Sequence, residues 1–142
     1  MVLRRKLTVL LGTVMVVMGA ATLFGAHEAL AEVFTGTAGE DTLVGTDRAD
    51  RLTGGDGEDS LKGRRGADRL QGNRGEHRLK GNSGNDHLWG SRGNDEIIPG
   101  DGNDKVYAGY GDDLIYARDT EVVDYIDAGQ ASTRWRPYTA TT

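Results

Sequence analysis

Aspartate recurs at nine-residue intervals, at Asp41, Asp50, Asp59, Asp68, Asp86, Asp95, Asp104 and Asp113, with His77 standing in the one place where the series breaks. Carboxylates at a fixed interval are oxygen ligands for a hard cation, provided the chain folds back on itself with the same period. No HExxH, GxSxG or P-loop pattern accompanies them, so the chemistry expected of them is ligation and not catalysis.

The elements that must position these carboxylates are legible in the surrounding columns. Set out in nines from Gly36, residues 36–116 form rows without insertion or deletion, of which Gly54-Gly55-Asp56-Gly57-Glu58-Asp59-Ser60-Leu61-Lys62 is the least altered. The fourth column is glycine in every row but one, where Arg48 stands, and the eighth is always Leu, Ile or Val. Glycine permits positive φ and close approach of neighbouring backbone, so the first half of each row reads as a tight turn. The last three residues place one aliphatic side chain between two mostly polar ones, which reads as a very short strand with its middle residue inward. Such units bury nothing alone and must stack into a solenoid.

Stacking would set successive carboxylates at about the strand spacing of ~4.8 Å, where like charges repel. An ion reverses the sign of that effect. Calcium takes about 6–8 oxygens at roughly 2.3–2.6 Å, so an ion between two turns spans about one strand spacing, and glycine-rich turns offer carbonyls as further ligands. Magnesium, with a shorter and stricter octahedron, fits less well. A metal is also the staple such a chain needs, since hydrophobic residues make up 37%, aromatics 6%, and there is no cysteine.

The GGxGxDxUx row resembles the RTX, or hemolysin-type, calcium-binding nonapeptide repeat. That resemblance implies an all-β parallel β-roll in which two nonapeptides make one right-handed turn and calcium sits between turns stacked on the same edge, so that row n partners row n+2. One edge would then hold Asp41, Asp59, His77, Asp95 and Asp113, and the other Asp50, Asp68, Asp86 and Asp104. Pairs are Asp41 with Asp59, Asp95 with Asp113, Asp50 with Asp68, Asp68 with Asp86, and Asp86 with Asp104. Arg48 brings a positive charge into the row of Asp50 and sets that pair apart. His77 offers nitrogen where calcium wants oxygen, so the sites flanking its row are expected to be weak or empty. His77 and His87 fall on opposite edges and make no transition-metal site.

Outside the repeats the chain reads as an export label and caps. Residues 1–31 have the form of a secretory signal peptide: Arg4, Arg5 and Lys6, an apolar run from Leu7 to Ala26, and Ala29-Leu30-Ala31 at the A-x-A spacing. The rival reading is a retained anchor; with cleavage no stable membrane insertion is expected, and the chain is expected to be secreted. Removal of those residues leaves 14 basic against 21 acidic residues, a balance that disfavours nucleic acid and suits small cations. Residues 32–129 form the roll and its caps, with Val33 and Phe34 covering one end and residues 122–129 an imperfect last coil. Residues 130–142 read as a flexible tail.

Two surface features stand apart from the Asp series. Arg64, Arg65, Arg69, Arg74, Arg78 and Lys80 form a basic stretch that could meet an anionic polymer, though such charges ordinarily serve solubility and block edge pairing. Trp89, Tyr107 and Tyr116 share the ninth column and read as cover for the later half of the roll. The function expected is therefore a secreted protein that folds on binding Ca2+. The alternatives are a surface module for a cell-surface polysaccharide or protein with purely structural calcium, and a detached accessory domain of a secreted hydrolase.

Overall fold

The computed structural model describes residues 31–117, 125–130 and 134–137, so all but the last residue of the expected signal peptide 1–31, and much of the expected tail, lie outside the described residues. Alternate rows feed two parallel sheets. The first contains β1 (Val33–Thr35), β3 (Arg51–Asp56), β5 (Arg69–Arg74), β7 (His87–Arg92), β9 (Lys105–Tyr110) and β11 (Tyr125–Asp127), neighbouring one another in that order. The second runs from β2 (Thr42–Val44) through β4 (Ser60–Arg65), β6 (Arg78–Ser83), β8 (Glu96–Asp101) and β10 (Leu114–Ala117) to β12 (Arg134–Pro137). Every pairing is parallel and most join residues eighteen apart, as in Leu52↔Leu70 and Leu61↔Leu79. The fold is thus an all-β parallel β-roll, with no helix among the described residues.

The core is the eighth column seen end on. Leu43, Leu61, Leu79, Ile97 and Ile115 stack on the inner face of the second sheet, and Phe34, Leu52, Leu70, Leu88 and Val106 on that of the first. Ile126 packs against the same cluster from β11. Each buried aliphatic side chain contributes about 1.5–3 kcal/mol, and because the ladder is one residue wide no single layer holds the roll together.

Strands β3 to β9 are six residues long, twice the expected length. They continue past the inward leucine because the next inward position, the first column, is a buried small residue such as Gly54, Gly63 or Ala108, which lets the backbone stay extended. At Gly54 a Cβ would sit 2.3 Å from Asp59 Oδ2, so a side chain there would collide with the carboxylate of its own row. The turn that follows bends at the fourth column, where Gly84 has φ +133° and a Cβ would meet the carbonyl oxygen of Gly66 on the adjacent turn.

The caps differ in part from the sequence reading. Phe34 is buried and closes the core at β1 as expected, while Val33 beside it is 67% exposed. The expected imperfect coil supplies β11, in register with β9 through Ile126↔Val106. Residues 134–137, read as part of a flexible tail, instead form β12 alongside β10, with Trp135 opposite Ile115. Without periodicity the segment carries no strand signal of its own; the open hydrogen-bonding edge of β10 is what orders it.

Candidate metal centre

Each aspartate of the series lies immediately before a strand, where the chain leaves the turn and re-enters a sheet. From Asp50 to Asp113 all are buried, along with His77, and Asp41 in the first row is half-buried. The structure brings together the five expected pairs, all through one contact: the carboxylate Oδ1 of one row accepts the backbone N–H of the aspartate eighteen residues earlier. Asp68 Oδ1 accepts from Asp50 at 2.8 Å, Asp86 from Asp68 at 2.8 Å, Asp104 from Asp86 at 2.8 Å, Asp59 from Asp41 at 2.9 Å and Asp113 from Asp95 at 2.9 Å. One oxygen of each carboxylate is therefore a rung between turns, a role that spacing alone does not reveal.

The other oxygen carries the chemistry. Oδ2 of Asp59, Asp68, Asp86 and Asp95 is buried and accepts no hydrogen bond. Leaving such an atom unsatisfied costs about 1–3 kcal/mol, and more when it is charged. Burial pushes the Asp59 and Asp68 carboxyls up to about 6 and those of Asp86 and Asp95 up to about 7. Neighbouring carboxylates on the same edge push in the same direction, as Asp68 and Asp104 do to Asp86, while the backbone N–H bonds pull the other way. A second oxygen converges on the same space: the position a Gly81 Cβ would fill lies 2.3 Å from both Asp86 Oδ2 and the Pro99 carbonyl. At Gly90 the pair is Asp95 Oδ2 at 2.3 Å and the Ala108 carbonyl at 2.5 Å. Buried, electron-rich oxygens without a proton donor fit a hard cation. No group of three acidic or histidine side chains gathers among the described residues, so the remaining ligands for such an ion would come from main-chain carbonyls and water.

The first two rows and the fifth depart from this arrangement. At Asp41 and Asp50, Oδ2 is satisfied from within the row, by the backbone N–H of Thr37 and Thr46 at 2.6 Å and by their hydroxyls at 2.9 Å. Those threonines do for the end turns what a cation would do further along. The signal was present, as threonine replaces the second-column residue only in those two rows. His77 keeps one half of the aspartate's role: its Nδ1 accepts the Asp59 N–H at 3.2 Å, as Oδ1 does elsewhere. Where other rows place Oδ2, however, it places carbon, since a Gly72 Cβ would lie 2.3 Å from His77 Cδ2. Burial holds this imidazole below its ordinary pKa and hence neutral. Its row keeps the rung but offers a cation no oxygen; Nδ1 lies 3.4 Å from Asp59 Oδ2 and Nε2 is buried without a hydrogen-bond partner.

The basic stretch is not one surface. Arg69 lies on the first sheet and Arg78 and Lys80 on the second, and both Arg65 and Arg78 face acids, Asp47 at 3.8 Å and Glu96 at 2.6 Å. The aromatic column divides likewise. Trp89 and Tyr107 stack on the first sheet at 5.7 Å between centroids, and Tyr125 continues them at 5.8 Å, whereas Tyr116 belongs to the second sheet.

Comparison with known protein families agrees with this geometry. The model of the RTX calcium-binding nonapeptide repeat matches four stretches, residues 35–70, 62–97, 71–106 and 97–119. No curated protein matches the chain. The matched stretches together span more than half of the sequence and all of the described Asp series, and the chain belongs to the family of RTX calcium-binding nonapeptide repeat proteins.

Proposed function

We propose that this protein is exported and that calcium, met outside the cytoplasm, completes its fold. The observation that carries the reading is the row of buried Oδ2 atoms at Asp59, Asp68, Asp86 and Asp95 with no proton donor. Bound calcium would supply the positive charge that these oxygens lack. Asp59, Asp68, Asp86 and Asp95 would hold it through Oδ2 beside the facing carbonyls, with Asp104 and Asp113 extending the two edges. Asp41 and Asp50, already satisfied by threonine, would contribute least. Export is supported by the form of residues 1–31, and a binding role is favoured over catalysis because the acidic residues are accounted for by the repeat.

Isothermal titration of the calcium-free chain tests the assignment. Calcium should bind at several sites and magnesium far more weakly, and Asp68→Ala or Asp86→Ala should remove sites that Asp41→Ala leaves. Equal binding of the two metals, or a stoichiometry untouched by Asp86→Ala, would exclude these ligands.

A further inference from the structure

The outer face of the first sheet holds charge and aromatic surface that neither calcium nor the core uses. Arg51, Arg69, His87 and Lys105 stand in register on β3, β5, β7 and β9. Thr53, Gln71, Trp89 and Tyr107 form the parallel column two residues on. Arg51 and Arg69 are exposed, lie side by side on neighbouring strands, and pair with no carboxylate among the described residues. Like charges in that position repel. On the second sheet the corresponding column is compensated, Arg78 being bound by Glu96. An acidic chain thus leaves two uncompensated guanidinium groups together, and beside them the aromatic ladder begins.

Where they meet there is a cavity of about 240 Å³ lined by Arg51, Leu52, Arg69, Gln71 and Trp89. That is below the ~300–1,000 Å³ typical of sites that enclose a whole small molecule, so it suits one ring of a longer chain that continues over the open face. Trp89, the first indole of the ladder, forms a wall against which the C–H face of a sugar can stack. Gln71 donates to Asn73 at 2.8 Å, which fixes its amide and leaves the carbonyl to accept from a hydroxyl. The two guanidinium groups offer forked donors for a carboxylate. Asp127, beside Tyr107 on the far side of the ladder, disfavours a carboxylate there, so the carboxylate that anchors the chain is the one at Arg51 and Arg69.

We propose that this face binds an acidic glycan, with a uronate unit in the cavity between Arg51, Arg69 and Trp89. The partner is a polymer because the face is open along the roll axis, and a uronate because the cavity joins a carboxylate-binding pair to an aromatic wall. The proposal rests on the calcium-completed roll, which builds the face and, by lowering the net negative charge, removes the long-range repulsion of a polyanion.

The test is calorimetric titration of the full chain in saturating calcium, after circular dichroism has established its β-structure. The probes are the hexasaccharides of hyaluronan and of polygalacturonate, with neutral chitohexaose as control. A uronate hexasaccharide should bind, chitohexaose should bind about tenfold more weakly or less, and Arg51→Gln with Arg69→Gln should weaken the acidic probe by about tenfold or more, as expected for lost charge-assisted hydrogen bonds. Trp89→Ala should weaken both probes. The exposed arginine variants keep the test decisive should Trp89→Ala disturb folding. No binding of either uronate probe to the folded chain at about 1 mM overturns the proposal. So does binding indifferent to both arginines, or binding of heparin that survives Trp89→Ala unchanged, which would mark unspecific attraction of polyanions.

Discussion

At the scale of the residue, one carboxylate performs two tasks, and substitutions separate them. Asp86→Asn keeps the acceptor that ties Asp86 to the Asp68 N–H partner of the series while removing the buried charge. It is predicted to raise the β-structure of the calcium-free chain at pH 8 and to lower its calcium stoichiometry, as read by circular dichroism and calorimetry. His77→Asp is the reverse experiment. It restores an oxygen where Cδ2 lies, so it should add at least one calcium site while making the calcium-free chain less stable; unchanged stoichiometry would show that the row is blank for another reason. Backbone strain gives a third outcome at this scale. Arg64 and Ser91 adopt φ 88° in the second column, where Gly55, Gly100 and Gly109 are also positive, and Arg64→Gly or Ser91→Gly should stabilise the roll by about 1 kcal/mol in denaturant melts. Of all this, the buried aspartate column was legible in the sequence, because a nine-residue period survives any fold that repeats. The Oδ1 rungs and the threonine substitutes were not, because they depend on which oxygen points where.

At the scale of the element, the unit is a strand that cannot stand without its neighbours. Leu61, Leu70 and Leu79 are fully buried in consecutive rows and divide between the two sheets. Leu70→Ala, in the middle of its ladder, should cost about 2–5 kcal/mol, and the same change at Leu43 near the end should cost less, since fewer turns stack beyond it; equal losses in calcium-saturated melts would argue against a cooperative stack. The inward column and the turn glycines were readable as pattern. Strand length was not, because continuation through Gly54 or Gly63 is decided by the absence of a side chain opposite the row's own aspartate. Strand β12 was also hidden, since its order comes from the edge of β10 and not from residues 134–137. The basic stretch misled for a related reason: neighbours in sequence alternate between sheets, so Arg69 and Arg78 face opposite ways while Arg51 and Arg69, eighteen apart, become adjacent.

At the scale of the whole molecule, the buried carboxylates link folding to protons and, on the proposed function, to calcium. In the calcium-free fold Asp86 and Asp95 hold a proton up to about pH 7, against 3.8 for an ordinary aspartate. The folded state thus binds more protons than the unfolded one between those values, and its stability falls as pH rises. The calcium-free chain should therefore be most stable at or below pH 4 as far as these groups are concerned, and should lose that contribution as pH passes 6 to 7. With calcium bound the direction reverses, because protons then compete for the same oxygens, so β-structure should fall from pH 5 to pH 8 in chelator and should not fall over that interval in calcium. The most direct measurement is far-UV circular dichroism of the calcium-free chain during titration with calcium, with magnesium in parallel. A cooperative gain of β-structure with calcium alone is the predicted result. A β-signal already complete in chelator at neutral pH, unmoved by calcium, would contradict it and leave the roll a preformed scaffold.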